Sequence, residues 1–226
     1  MQRLHQRLTA SRFNEKYDAL KERLPRVKHL IHGGAENYYA GPDMESTHPN
    51  KSQSRFEAGI VERTISNIEL GLERVMGLDM VEGKLYIHCR PRPTQGEKAR
   101  EAIWQYDIYA DYNPVAAIGV NFHIEDEKII STVANIQGHE SEGIKTLRAI
   151  CGKTPWPVKS LTLIIANMPE DVEIIRGVAS TNHPLAGSPG FDKNQASNLY
   201  DRTFKKIGMT AVRNNQGKVQ YYELQR

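Results

Sequence analysis

The sequence predicts an α+β (mixed α/β) domain: a central, mostly antiparallel sheet flanked by helices, with a helical extension at the N-terminus. Three observations predict it. Apolar and polar residues alternate over 84–90 and 103–111, and apolar runs fill 115–124 and 129–136, the patterns of half-buried and buried strands. The links between these segments are short, which suits antiparallel neighbours. Apolar residues three and four apart mark helices on both sides of the strand block.

Taken in order, Phe13, Tyr17, Leu20, Leu24 and Val27 recur at helical spacing, with Pro25 as a break, and Gly33-Gly34 stops the run. Residues 35–54 turn to Asn, Gly, Pro, Ser and His, the composition of a long loop and an expected mobile segment. This divides the chain into an extension with its loop, 1–54, and a main domain, 55–226. A second helix is predicted from Phe56, Ile60, Ile65, Ile68, Leu72 and Val75, ended by Gly77. In the first strand Leu85, Ile87 and Cys89 share a face. In the second Trp104, Tyr106, Ile108 and Ala110 do so. Asn113-Pro114 is read as the next turn, 115–124 as the third strand, the charged run Glu125–Lys128 as a turn, and 129–136 as the fourth strand.

A helix is then expected over 143–151, and another over 158–168 with Pro157 in its first turn. Residues 172–180 read as a buried strand. The helix expected over 196–207 carries Leu199, Phe204 and Ile207 on one face and ends at Gly208. Residues 209–213 and 218–224 close the domain as a hairpin.

Composition narrows the classes. Of 226 residues, 39% are hydrophobic and 25% charged, as in soluble globular proteins. No apolar run is long enough to span a bilayer and the first residues lack an apolar signal core, so a cytoplasmic protein with no membrane span is expected. The net charge of +3 is too mild to demand a nucleic-acid partner. The basic clusters at 90–92 and at Lys205-Lys206 read as solvated faces. Cys89 and Cys151 have no metal-ligand spacing, so reduced core thiols and no metal are expected. Gly-x-Ser-x-Gly, Walker-type and His-Glu-x-x-His motifs do not occur, which removes the common hydrolase, nucleotide-binding and zinc-protease readings.

The corner after the fourth strand is the candidate site. Gln137-Gly138 turns the chain into a helix whose first backbone N–H groups could face a ligand. His139 there could be a general base, with Glu140 beside it. Capping and turn geometry explain the same residues without a ligand. Ser180, Asn182 and His183 end the next strand. A parallel pairing of the two strands would bring both turns to one sheet edge, where hydroxyl, amide and imidazole groups could orient a substrate.

The order of elements, with Tyr200, Phe204 and Gly208 spaced Tyr-x-x-x-Phe-x-x-x-Gly, resembles the GNAT acetyltransferase architecture. From about residue 82 onward the chain is also similar to the VirK/YbjX family of bacterial proteins. That resemblance rests on Val81–Leu85, Val133–Gly138, Gly177–His183 and Tyr200-Asp201 with Gly208. The resemblance implies transfer of an acyl or aminoacyl group from a carrier to an amine or hydroxyl acceptor. His139 or His183 would be the base and Tyr200 the acid, with Gln137, Gly138, Glu140, Ser180 and Asn182 binding substrate. Acyl-CoA or another acyl carrier is the implied cofactor, and a carrier protein or tRNA an alternative donor. A non-catalytic GNAT-shaped binding protein in envelope stress or virulence is the other implied role. One departure is visible: Gln137 and Gly143 lie six apart, so the family's Arg/Gln-x-x-Gly-x-Gly/Ala phosphate loop is not matched.

Overall fold

In a computed structural model, the described residues are 67, 69–71, 74–91, 102, 104–139, 141–183 and 192–226. The expected extension and loop over 1–54, and Glu140, lie outside them. Of the helix expected over 56–76, Asn67, Glu69, Leu70, Gly71 and Arg74 are helical.

The strands are β1 (Asp79–Glu82), β2 (Leu85–Pro91), β3 (Trp104–Ala110), β4 (Asn113–Glu125), β5 (Lys128–Gly138), β6 (Val172–Val178), β7 (Thr210–Arg213) and β8 (Val219–Gln225). Among the described residues, the helices that follow are α1 (Ser141–Cys151), α2 (Trp156–Ala166), α3 (Lys193–Leu199) and α4 (Asp201–Lys206), and a 3-10 turn covers Ser180–Asn182. One sheet takes the order β1-β2-β3-β4-β5-β6-β8-β7. Every adjacent pair is antiparallel except β5–β6, which is parallel. A helical crossover is what a parallel pair needs, and α1–α2 provide it.

The alternation has its expected cause. Leu85, Ile87, Cys89, Trp104, Tyr106, Ile108 and Ala110 are buried in one core with Leu147 of α1 and Leu161 and Ile164 of α2. Asp107 breaks the pattern by being buried on the opposite face, where Arg90 and Gln105 donate to its carboxylate. Both cysteines are buried thiols, and burial pushes both pKa values up.

Several local expectations are corrected. The strand β1, absent from the sequence reading, pairs with β2 across a turn at Gly83. The β3–β4 turn is Asp111-Tyr112, with both residues at positive φ, not Asn113-Pro114. Pro114 lies within β4 beside a bulge at Val115, where two residues oppose one and a missing N–H is tolerated. The helix expected over 196–207 starts earlier, at Lys193, where Asp192 caps it by accepting from Asn194 and Gln195 N–H, and it is interrupted at Tyr200.

Candidate functional site in the opening between β5 and β6

Parallel pairing of β5 with β6 runs from Ile129↔Val172 to Val133↔Gly177 and then stops, although β5 continues to Gly138. A bulge explains the parting. Against β4, Asn135 pairs with Gly119 and Val133 with Val120, so Ala134 is an extra residue on β5. A bulged strand bends and twists more strongly, and here the extra residue directly follows the last β5–β6 pair. Beyond it, β5 makes no further pair with β6.

Side chains from the last third of the domain fill this opening. The N–H of Ile136 donates to Tyr200 Oη at 3.1 Å, and Tyr200 Oη lies 3.1 Å from His183 Nε2. The phenol can donate its hydrogen to His183 Nε2, which needs a neutral imidazole protonated on Nδ1, or accept from an Nε2–H as it accepts from the amide. Burial favours the neutral imidazole, holding the His183 pKa down to about 4. Tyr200 and His183 are each 5% exposed, and their rings meet edge to face at 5.0 Å.

Packing holds the pair in place. Phe204, one turn after Tyr200 on α4, lies over Gly177, where an added Cβ would come within 2.5 Å of its ring. Phe204 stacks in turn on Tyr222 of β8. Asp201 joins α4 to the end of β6, accepting from Ser180 N–H at 2.9 Å and Ser180 Oγ at 2.6 Å, and from Ser197 Oγ at 3.1 Å. Ser180 is therefore a buried tie, with its hydroxyl hydrogen committed. Asn182 Nδ2 donates to the carbonyls of Val219 and Gln220, so this side chain fastens the 3-10 turn to β8.

The other described sequence candidates follow Ile136 at the end of β5. Gln137 and Gly138 pair with Ala117 and Ala116, and His139 is exposed with its N–H donating to Val115 O at 2.8 Å. The glycines here serve close packing. A Cβ on Gly138 would meet Ile144 Cδ1 at 2.7 Å, and one on Gly143 would meet Val115 Cγ1 at 2.5 Å. The first turn of α1 holds Glu142, which is exposed and paired with Lys145. The structure thus joins Tyr200 and His183 by a hydrogen bond, ties Ser180 and Asn182 to scaffold partners, and bonds the His139 backbone N–H to Val115 of β4. The sequence reading missed the Ile136 amide, Ala134 and Ser197. A bulge and an amide direction have no residue signature; Ser197 and Asp201, four apart on a helix, are the one pair a spacing argument could find.

Chemically, this place offers a neutral imidazole, a phenol and an amide in series. It can bind a polar group along the β5 edge and move one proton. Among the described residues no group of His, Cys, Asp and Glu is arranged to hold a metal, and no helix is long and apolar enough to cross a membrane.

No family model and no curated protein matches the chain. A solved structure from Sphaerobacter thermophilus, provisionally described as an acetyltransferase, is similar over 66% of this chain and 98% of that one, with 9% identity and a TM-score of 0.34. A likeness of that size carries no activity from one protein to the other.

Proposed function

We propose that the protein is a GNAT-like transferase that moves an acyl or aminoacyl group from a thioester or ester carrier to an amine or hydroxyl. The observation that carries the reading is the opening itself: a β5 edge freed by the bulge at Ala134, with the Tyr200–His183 pair seated against it. An extended donor arm could pair with that edge by displacing Tyr200 from the Ile136 amide, as peptides pair with free sheet edges.

The step balances as follows for a thioester. The acceptor nitrogen or oxygen attacks the carbonyl carbon, forming the new C–N or C–O bond, and the C–S bond breaks. Tyr200 turns its hydroxyl hydrogen from His183 Nε2 to the departing thiolate and gives it up there, and the freed Nε2 takes the nucleophile's proton. Transfer from imidazolium to tyrosinate across the 3.1 Å contact restores the starting state. Burial keeps the imidazole unprotonated at neutral pH, and contact with the charged intermediate must raise its basicity for it to act as base.

The test is release of free thiol from acyl-N-acetylcysteamine in the presence of a panel of primary amines and alcohols. Turnover that falls by about 10²-fold in Tyr200→Phe supports the reading, since acid–base groups contribute on the order of 10²–10⁴. Turnover unchanged in both Tyr200→Phe and His183→Gln rejects it. A second reading, a non-catalytic GNAT-shaped binding protein of the kind the VirK/YbjX resemblance suggests, is favoured by the internal satisfaction of Ser180 and Asn182. It predicts ligand binding with no thiol release.

A further inference from the structure

We propose that the surface beside the β5–β6 opening docks an acidic acyl carrier protein, which delivers the donor arm. This rests on the transferase reading and specifies its partner.

Charge is the first ground. Between residues 193 and 218 there are six cations, Lys193, Arg202, Lys205, Lys206, Arg213 and Lys218, and all are exposed. The one acid in that span is Asp201, whose carboxylate is turned inward onto Ser180 and Ser197. Arg202, Lys205 and Lys206 are three and four apart on α4, so they share one side of the helix, while Thr203 and Phe204 are buried. This cationic stripe starts two residues after Tyr200. It gives the neighbourhood of the opening a positive sign that the whole-chain charge of +3 conceals. The sequence reading of Lys205-Lys206 as a plain solvated face does not anticipate the other four.

The tip of β5 supplies the second ground. A free nucleotide-linked donor needs its diphosphate neutralised near the arm's outer end. The turn into α1 is poorly equipped for that. The His139 N–H is spent on Val115 O, and the first turn of α1 presents the exposed carboxylate of Glu142. A donor arm attached to a folded protein carries a single phosphodiester and brings its own acidic surface, which matches a broad cationic stripe better than a compact phosphate loop. The aromatics of the span decide between protein and RNA. Tyr200 and Phe204 are both buried, so the stripe offers no exposed ring on which an unpaired base could stack.

The experiment compares three donors against the full chain by fluorescence anisotropy at about 50 and 200 mM salt: a holo-acyl carrier protein, unfractionated tRNA and acyl-CoA. Expected is saturable carrier binding that weakens with salt and falls at least about tenfold in the triple variant R202E/K205E/K206E, because opposed charges steer and hold such partners. The variant should keep the parent's Tm and its thiol release from acyl-N-acetylcysteamine, since all three side chains are exposed while Tyr200 and His183 are buried. If the triple variant does not fold, Arg202→Gln and Lys205→Gln are measured singly and the same direction is required. Carrier affinity unchanged by charge reversal, or tRNA or acyl-CoA bound more tightly than the carrier, overturns the proposal. Failure of the small thioester to turn over strikes the transferase reading instead, and the binding arms still decide the docking surface.

Discussion

The two ends of the β5–β6 pair contrast in how the same two strands are held. Within the paired stretch, Arg176 of β6, paired with Thr132 just before the parting, reaches past β5 on one side and to β8 on the other. It donates to Glu125 at the end of β4 at 2.5 and 3.2 Å and to Glu223 of β8 at 2.9 Å, and its guanidinium sits 4.8 Å from the Tyr221 ring. Burial alone would disfavour its charge, but the hydrogen bonds to Glu125 and Glu223 outweigh that and hold it protonated. At the parted end no ion pair of this kind is seen among the described residues. A neutral phenol and a neutral imidazole bridge the gap instead. A charge cluster cannot let go without leaving buried charges unpaired, whereas a neutral pair can exchange one partner for another at modest cost. One end is built to stay and the other can open. That asymmetry is the physical reason for placing a ligand at one end only.

The largest expected effect comes from breaking the locked end. Arg176→Ala should cost about 3 kcal/mol, the low end of the range for removing one partner of a buried ion cluster because Glu125 is half exposed. Urea unfolding measures it; a loss under about 1 kcal/mol would mean the clamp is ornamental.

Next is the response of the open end to acid. His183 in the folded protein has a pKa of about 4, lower than its ordinary 6.5, so the unfolded chain binds more protons between those values. Stability from this group is therefore complete above about pH 6.5 and falls as pH drops toward 4, by at most about 3 kcal/mol. His183→Gln, which can still hydrogen-bond Tyr200, should flatten the stability curve across that window. An unchanged slope would show that His183 titrates normally.

Gly177→Ala tests the wall behind the pair. Its Cβ would press on the Phe204 ring, and overpacking of that kind costs about 1–3 kcal/mol. Since Phe204 is one turn from Tyr200, thiol release should fall as well, which separates this variant from a purely local defect.

A smaller effect is expected at the chain's end. Arg226 donates to the carbonyls of Met168, Pro169 and Val172, closing the loop between α2 and β6 below the locked end. Arg226→Ala should lower stability by about 1–2 kcal/mol, the scale of charge-assisted bonds at an exposed site, and leave turnover of the small thioester intact.

Much of the scaffold was legible before the structure. Residues such as Leu85, Ile87, Trp104 and Tyr106 alternate because one face of each strand meets the core, and short turns such as Asp126-Glu127 leave few topologies open. The parallel placement of β6 beside β5 was also legible, from the helical crossover between them. The site was less so. Ser180 and Asn182 attract attention as polar groups ending a strand, but their partners, Asp201 and the β8 carbonyls, lie some 20 to 40 residues away in sequence. His139 has the right chemistry at a strand end, yet the Val115 bulge draws its backbone toward β4. Bulges at Val115 and Ala134 decide which edge opens, and they depend on register, which no local pattern encodes.

The most direct test of the account follows the Ile136 amide by NMR while acyl-pantetheine is added to the protein. In the free protein this N–H is bonded to Tyr200, so Tyr200→Phe should speed its hydrogen exchange without disturbing the amides of 129–133. If the opening is the donor site, the thioester should shift the Ile136 resonance and slow its exchange in Tyr200→Phe, while signals around Arg176 stay fixed. An Ile136 resonance unmoved at saturating donor, or perturbations confined to the Arg176 end, would contradict it.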